Sequence, residues 1–163
     1  MLKSAHYRNE RLVEKVAAVE KSVLIAHSAQ QMFELVDRCE DYPLFLPWCS
    51  KSELLHRDAQ TTRATLYIDY RGVKSQFSTE NTKEFPSLMR IRLISGPFSK
   101  MQGHWRFMPL DDCACKVELY LHYEFSNQLL AKIIGPVFNF IANSFIEAFV
   151  KRARQVYGDK IDS

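Results

Sequence analysis

Between Ser126 and Tyr157, the apolar residues Leu129, Leu130, Ile133, Ile134, Val137, Phe138, Ile141, Phe145, Ile146 and Phe149 recur at steps of three and four. That spacing sets them as one broad stripe along a long helix. A stripe so wide and so aromatic needs a large apolar partner. The residues before it supply one as a series of alternating strands, so the chain reads as α+β, a curved antiparallel sheet wrapped around one long C-terminal helix. Gly135-Pro136 falls inside that helix; the proline removes a backbone donor and its ring crowds the preceding turn, so a kink or break is expected there. The apolar window 133–150 is interrupted by Pro136, Asn139, Asn143 and Glu147, which reads as a buried or amphipathic helix and not as a membrane span.

The strands follow from period-two patterning. The β-branched segment Val16 to Ala26 is a first strand that runs into a helix at Ser28, whose hydroxyl caps the helix while Gln31 completes a capping box. Met32, Phe33, Leu35 and Val36 make that helix amphipathic, with an end near Cys39. Pro43 and Pro47 then bracket Leu44, Phe45 and Leu46 and leave room for one helical turn. Phe45, Leu46 and Trp48 have two readings, a plug closing one end of the sheet or the mouth of a ligand cavity; burial is the commoner fate of such residues. From Thr62 to Tyr70, Ala64, Leu66, Ile68 and Tyr70 share one face, Arg71-Gly72 turns the chain, and Phe77 returns to the same face. Pro86-Ser87, Ser95-Gly96-Pro97 and Pro109 to Asp112 mark further turns. Met89, Ile91 and Leu93, then Met101, Gly103, Trp105 and Phe107, then Val117, Leu119, Leu121, Tyr123 and Phe125 form inward rows against polar outward rows. The expected total is about six to seven strands, covered on one face, with one or two short helices after the first.

At 163 residues with 47% hydrophobic and 25% charged content, the chain has enough apolar material for one packed domain over 16–158. Residues 1–15 read as a loosely ordered extension and 159–163 as a tail. Four cysteines, Cys39, Cys49, Cys113 and Cys115, are too few and scattered for a disulfide scaffold, which fits reduced thiols in the cytoplasm. The N-terminus lacks the apolar core of a secretory signal. The five histidines are dispersed, no metal-ligand spacing occurs, and neither a phosphate-cradling glycine loop nor a nucleophile elbow is present. No catalytic residue, metal or required cofactor is therefore assigned. A net charge of +3 does not call for nucleic acid, and no DNA partner is expected. Lys151, Arg152 and Arg154 cluster near the end of the long helix, where they complement its dipole or form a patch for anionic headgroups or ribosomal RNA phosphates.

Four segments carry a family resemblance: Ser28 to Val36 (SAQQMFELV), Asp41 to Cys49 (DYPLFLPWC), Gly96 to Phe107 (GPFSKMQGHWRF) and Phe149 to Tyr157 (FVKRARQVY). Each resembles, in the same order, a segment of the bacterial ribosome-association toxins and the mitochondrial coenzyme Q-binding proteins. That family has the helix-grip fold of the START and Bet v 1 superfamily, often labelled polyketide cyclase-like, a label that rests on fold alone. The resemblance implies a protein that is not an enzyme. It implies an apolar tunnel for a polyprenyl quinone such as ubiquinone, in support of respiration and in peripheral contact with the inner membrane. From the bacterial branch it implies binding to the large ribosomal subunit and inhibition of subunit association. A quinone tunnel would draw on Phe45, Leu46 and Trp48 at its mouth, on Leu66, Ile68, Phe77, Leu93, Phe98 and Trp105 from the sheet, and on Phe138, Ile141, Phe145 and Phe149 from the helix.

Overall fold

In the computed structural model, which describes residues 15–158, the long helix α2 (Gln128–Tyr157) lies across one face of a seven-stranded sheet. The expectations for the N-terminal extension and the C-terminal tail fall on residues outside those described. β1 (Val16–Ile25) leads through His27 into α1 (Ala29–Asp37). Ser28 Oγ accepts the Gln31 N–H at 3.1 Å and Gln31 Oε1 accepts the Ser28 N–H at 3.0 Å, the reciprocal capping expected from the sequence. A 3₁₀ helix (Cys39–Leu44) follows with Pro43 inside it. This helical segment thus precedes the expected place between the two prolines, and the Tyr42 hydroxyl, which donates to the Val36 carbonyl at 2.5 Å, ties it back to α1.

Six strands then run in sequence: β2 (Cys49–Arg57), β3 (Thr61–Tyr70), β4 (Val73–Glu84), β5 (Leu88–Ser95), β6 (Phe98–Asp111) and β7 (Ala114–Phe125). Spatial order is β1-β7-β6-β5-β4-β3-β2, with all neighbours antiparallel. This is the helix-grip arrangement. Arg71 and Gly72 turn β3 into β4 with φ of 51° and 80°, the two left-handed residues that a tight hairpin demands. At Gly103 a Cβ would stand 2.1 Å from the Tyr120 carbonyl oxygen, so β6 and β7 approach at this point only because the side chain is missing.

Two further boundaries differ from expectation. Pro109 does not turn the chain but lies within β6, where the register shifts between Pro109 and Asp111; a bulge is where a sheet tolerates a residue that cannot donate. The turn comes at Asp112-Cys113 instead. Pro136 does not break α2, which is assigned as continuous helix through it. Pro136 and Lys132 are both exposed, so the carbonyl deprived of its partner is on the wet side of the helix. By length and composition α2 could cross a membrane, yet its inward face, from Ala131 to Ala153, is buried against the sheet.

The aromatic core is concentrated where α2 meets β4, β6 and β7. Phe138 is 2% exposed and its ring centre lies 4.7 Å from Tyr123, 4.8 Å from Phe98 and 5.7 Å from Phe77. The Tyr123 hydroxyl donates to Asn139 Oδ1, a bond that pins the helix to β7.

Candidate functional site

The inner face of the sheet changes character along its strands. On β4 the inward residues are Phe77, Thr79, Asn81 and Lys83, passing from aromatic to polar; on β3 Leu66 and Ala64 give way to Thr62. This gradient runs from the middle of α2 toward the end of α1. Between them lies a cavity of about 60 Å³. Leu66, Phe77, Met101, Trp105, Leu119, Phe138, Ile141 and Phe145 form its apolar wall, and Asp37, Cys39, Tyr42, Thr62, Thr79 and Asn81 its polar side. An apolar cavity that admits a benzene ring measures about 150 Å³, so the side chains of α2 and the sheet fill most of the space between them.

The polar side is organised around Asp37 at the last turn of α1. Its Oδ1 accepts from the Thr62 hydroxyl at 2.7 Å, and its Oδ2 accepts from Lys83 Nζ at 3.2 Å. Arg57 Nε lies 3.4 Å from Oδ2, and the same guanidinium donates to Glu40 at 2.7 Å. Lys83 is 5% exposed at its side chain, a burial tolerable for a cation only beside such a carboxylate. Burial tends to raise the Glu40 carboxyl, but its hydrogen bonds with Arg57 outweigh that and hold it below its ordinary pKa. Asn81 donates its Nδ2 to Met89 Sδ at 3.4 Å, while its Oδ1 is buried and has no hydrogen-bond partner among the described residues. Burial, reinforced by Glu40, pushes the Cys39 thiol up to about 11, which keeps it protonated and unreactive at neutral pH. Among the described residues no group of three or more His, Cys, Asp or Glu side chains could hold a metal ion.

Of the residues singled out from the sequence, Leu66, Phe77, Trp105, Phe138, Ile141 and Phe145 meet at the cavity. Ile68, Phe98 and Phe149 do not line it; they are buried in the surrounding core, and Leu93 packs half-buried against that core. Phe45, Leu46 and Trp48 are not at the mouth of this cavity either. They line a separate surface groove of about 350 Å³ alongside α2, with Leu44, Phe140, Glu147, Lys151 and Arg152. Leu46 and Trp48 are its buried floor, at 1% and 2% exposure, so the plug reading describes them better than the mouth reading. The Arg152 guanidinium sits 5.2 Å over the Phe45 ring, which joins part of the basic cluster to this segment. Arg154 is exposed in the last turns and does not line the groove. Sequence reasoning did not single out Asp37, Thr62 or Asn81, although Thr62 and Asn81 are polar residues in otherwise apolar inward rows, and that mismatch was their signal.

The model of the family described as polyketide cyclase / dehydrase and lipid transport matches residues 25–150. The chain belongs to that family. Within it, a protein of Vibrio cholerae named ribosome association toxin RatA is 39% identical over 141 residues, which cover 86% of this chain and 98% of the relative. The mitochondrial coenzyme Q-binding protein COQ10 homolog B of Xenopus laevis is 26% identical over 85% of this chain and 58% of its own length. The two branches suggested by the four segments are thus both among its relatives. The crystal structure of the Zhui aromatase/cyclase from a Streptomyces species superposes with a TM-score of 0.70 at 19% identity, covering 86% of this chain and 96% of that one. The polyketide cyclase and lipid transport fold therefore extends to enzymes, and its presence alone does not decide between catalysis and binding.

Proposed function

We propose that this protein is a non-enzymatic carrier of an elongated apolar ligand, a polyprenyl quinone such as ubiquinone, held between α2 and the sheet. The observation that carries this reading is the graded inner face, an aromatic wall that ends in one compact polar group at Asp37, Thr62 and Asn81. A quinone has the same polarity pattern, a polar ring on an apolar tail. The small volume of the closed cavity means that the ligand enters as the wall parts. Phe138 and Phe145, which face α2's partners through ring contacts, set the width of that opening. In this role the protein works in the cytoplasm at the surface of the inner membrane, taking ligand from it and returning it.

The test is organic extraction of the protein purified from a quinone-producing bacterium, with mass spectrometry of the extract. A near-stoichiometric polyprenyl quinone is the expected result. An empty extract from folded protein overturns the reading. A second reading, association with the large ribosomal subunit, is favoured by the relative named ribosome association toxin at 39% identity and by the basic groove at Lys151 and Arg152. It predicts cosedimentation with large subunits at moderate salt, lost on K151E/R152E. Sedimentation profiles unchanged by overexpression would remove it.

A further inference from the structure

The groups at the polar end of the cavity that discriminate between donors and acceptors are themselves acceptors. Of the side chains that line it, the Thr62 hydroxyl spends its proton on Asp37 at 2.7 Å, the Tyr42 hydroxyl spends its proton on the Val36 carbonyl at 2.5 Å, and Asn81 Nδ2 points at Met89 Sδ at 3.4 Å. A thioether sulfur can only accept, so the amide is fixed with nitrogen toward it. Thr79 adds a hydroxyl that can donate or accept and so suits either kind of head group; the unspent groups that can only accept are the Asn81 carbonyl oxygen, buried and without a partner among the described residues, and lone pairs on the Asp37 carboxylate. Lys83, whose ammonium is the other donor nearby, stands behind Asp37 and does not line the cavity.

We infer that the site selects a head group that donates hydrogen bonds, the hydroxyls of a hydroquinone or other phenol, over one that only accepts, the carbonyls of the oxidised quinone. This rests on the carrier reading above and narrows it to one redox form. An oxidised ring would bring its carbonyl oxygens against the Asn81 oxygen and the Asp37 carboxylate, leaving acceptors facing acceptors in a site shielded from water. A hydroquinone satisfies the orphaned amide oxygen and adds a bond to a charged acceptor, the stronger kind. Nothing covalent is involved; the difference is one of affinity.

The experiment is an anaerobic titration of the full chain with decyl-tailed benzoquinone in its reduced and oxidised forms, followed by quenching of Trp105 fluorescence in a Trp48→Phe background. The reduced form is expected to bind about tenfold tighter. In Asn81→Leu, which removes the orphaned acceptor without leaving a polar atom unpaired, the preference should fall to threefold or less. Equal affinities of the two forms for the starting protein, or tighter binding of the oxidised form, overturn the inference while leaving the carrier reading intact. Absence of binding by both overturns the inference and the carrier reading together. A preference that persists undiminished in folded Asn81→Leu, checked by circular dichroism, overturns the role of Asn81. Should that variant not fold, the comparison of the two forms in the starting protein decides by itself.

Discussion

Replacing Phe138 with alanine probes the more tightly packed of the two α2 rings named as setting the width of the opening. The Phe138 ring is 2% exposed and touches four others, Tyr123, Phe98, Phe77 and Phe125, at centre distances of 4.7, 4.8, 5.7 and 6.2 Å. Truncating a buried phenylalanine costs about 3–5 kcal/mol, and the loss grows with the void that cannot collapse. Edge-to-face partners lost with it add to the area term, so the expected cost is near the upper end, about 5 kcal/mol. For a chain of this size that is a fall in Tm of roughly 10–20 °C. Phe145 also lines the cavity but is only half-buried, and its truncation should cost about 2 kcal/mol, since less of it leaves water on folding. Urea denaturation followed by far-ultraviolet circular dichroism measures both. If Phe145→Ala were as destabilising as Phe138→Ala, or Phe138→Ala cost less than about 1.5 kcal/mol, the difference in packing between these two wall residues would be wrong.

Four other outcomes follow from the packing and the charges. Gly103→Ala should destabilise by at least about 3 kcal/mol, because its Cβ meets the Tyr120 carbonyl oxygen at 2.1 Å; near-normal thermal stability would contradict the close β6–β7 approach. Asp37→Ala should cost about 3–5 kcal/mol by stranding the buried Lys83 ammonium, whereas the double change Asp37→Leu with Lys83→Met should recover most of the loss in the same denaturation assay. Thiol labelling at pH 8 should modify exposed Cys113 quickly and leave Cys39, Cys49 and Cys115 until the chain unfolds, since burial pushes each of these three up to about 11. Their raised values also mean that stability holds below the unfolded thiol pKa and declines as pH climbs from about 8.5 toward 11, visible as a falling urea midpoint.

The fold was legible wherever one face of an element is dry. β7 shows strict alternation, with Val117, Leu119, Leu121, Tyr123 and Phe125 buried, and its pattern alone names the strand. β2 carries no such signal, because it is an edge strand of the described sheet whose residues after Cys49 are almost all exposed, and a strand with no buried row has no period to read. The cavity was less legible. Inward direction can be read from spacing, but whether Phe98 and Phe149 fill space or border it depends on how α2 crosses the sheet, which no local pattern carries. The polar end is a different case. Thr62, Thr79 and Asn81 break apolar inward rows, and a polar residue on a buried face needs a partner or a ligand.

The pairing of β1 with β7 joins the first strand of the sheet to the last, Val16 opposite Glu124 and Ile25 opposite Cys115. During synthesis the first strand therefore emerges long before β7, its one sheet neighbour among the described residues, exists, and α2, which covers the same core, comes later still. Contacts so distant in sequence form slowly because the intervening loop must first be closed. Until then the apolar row Val19, Val23 and Ile25 has nothing to pair with, so a ribosome paused before residue 125 would hold a nascent chain with an open sheet edge and an uncovered aromatic floor. Such a chain is a substrate for chaperones or for aggregation.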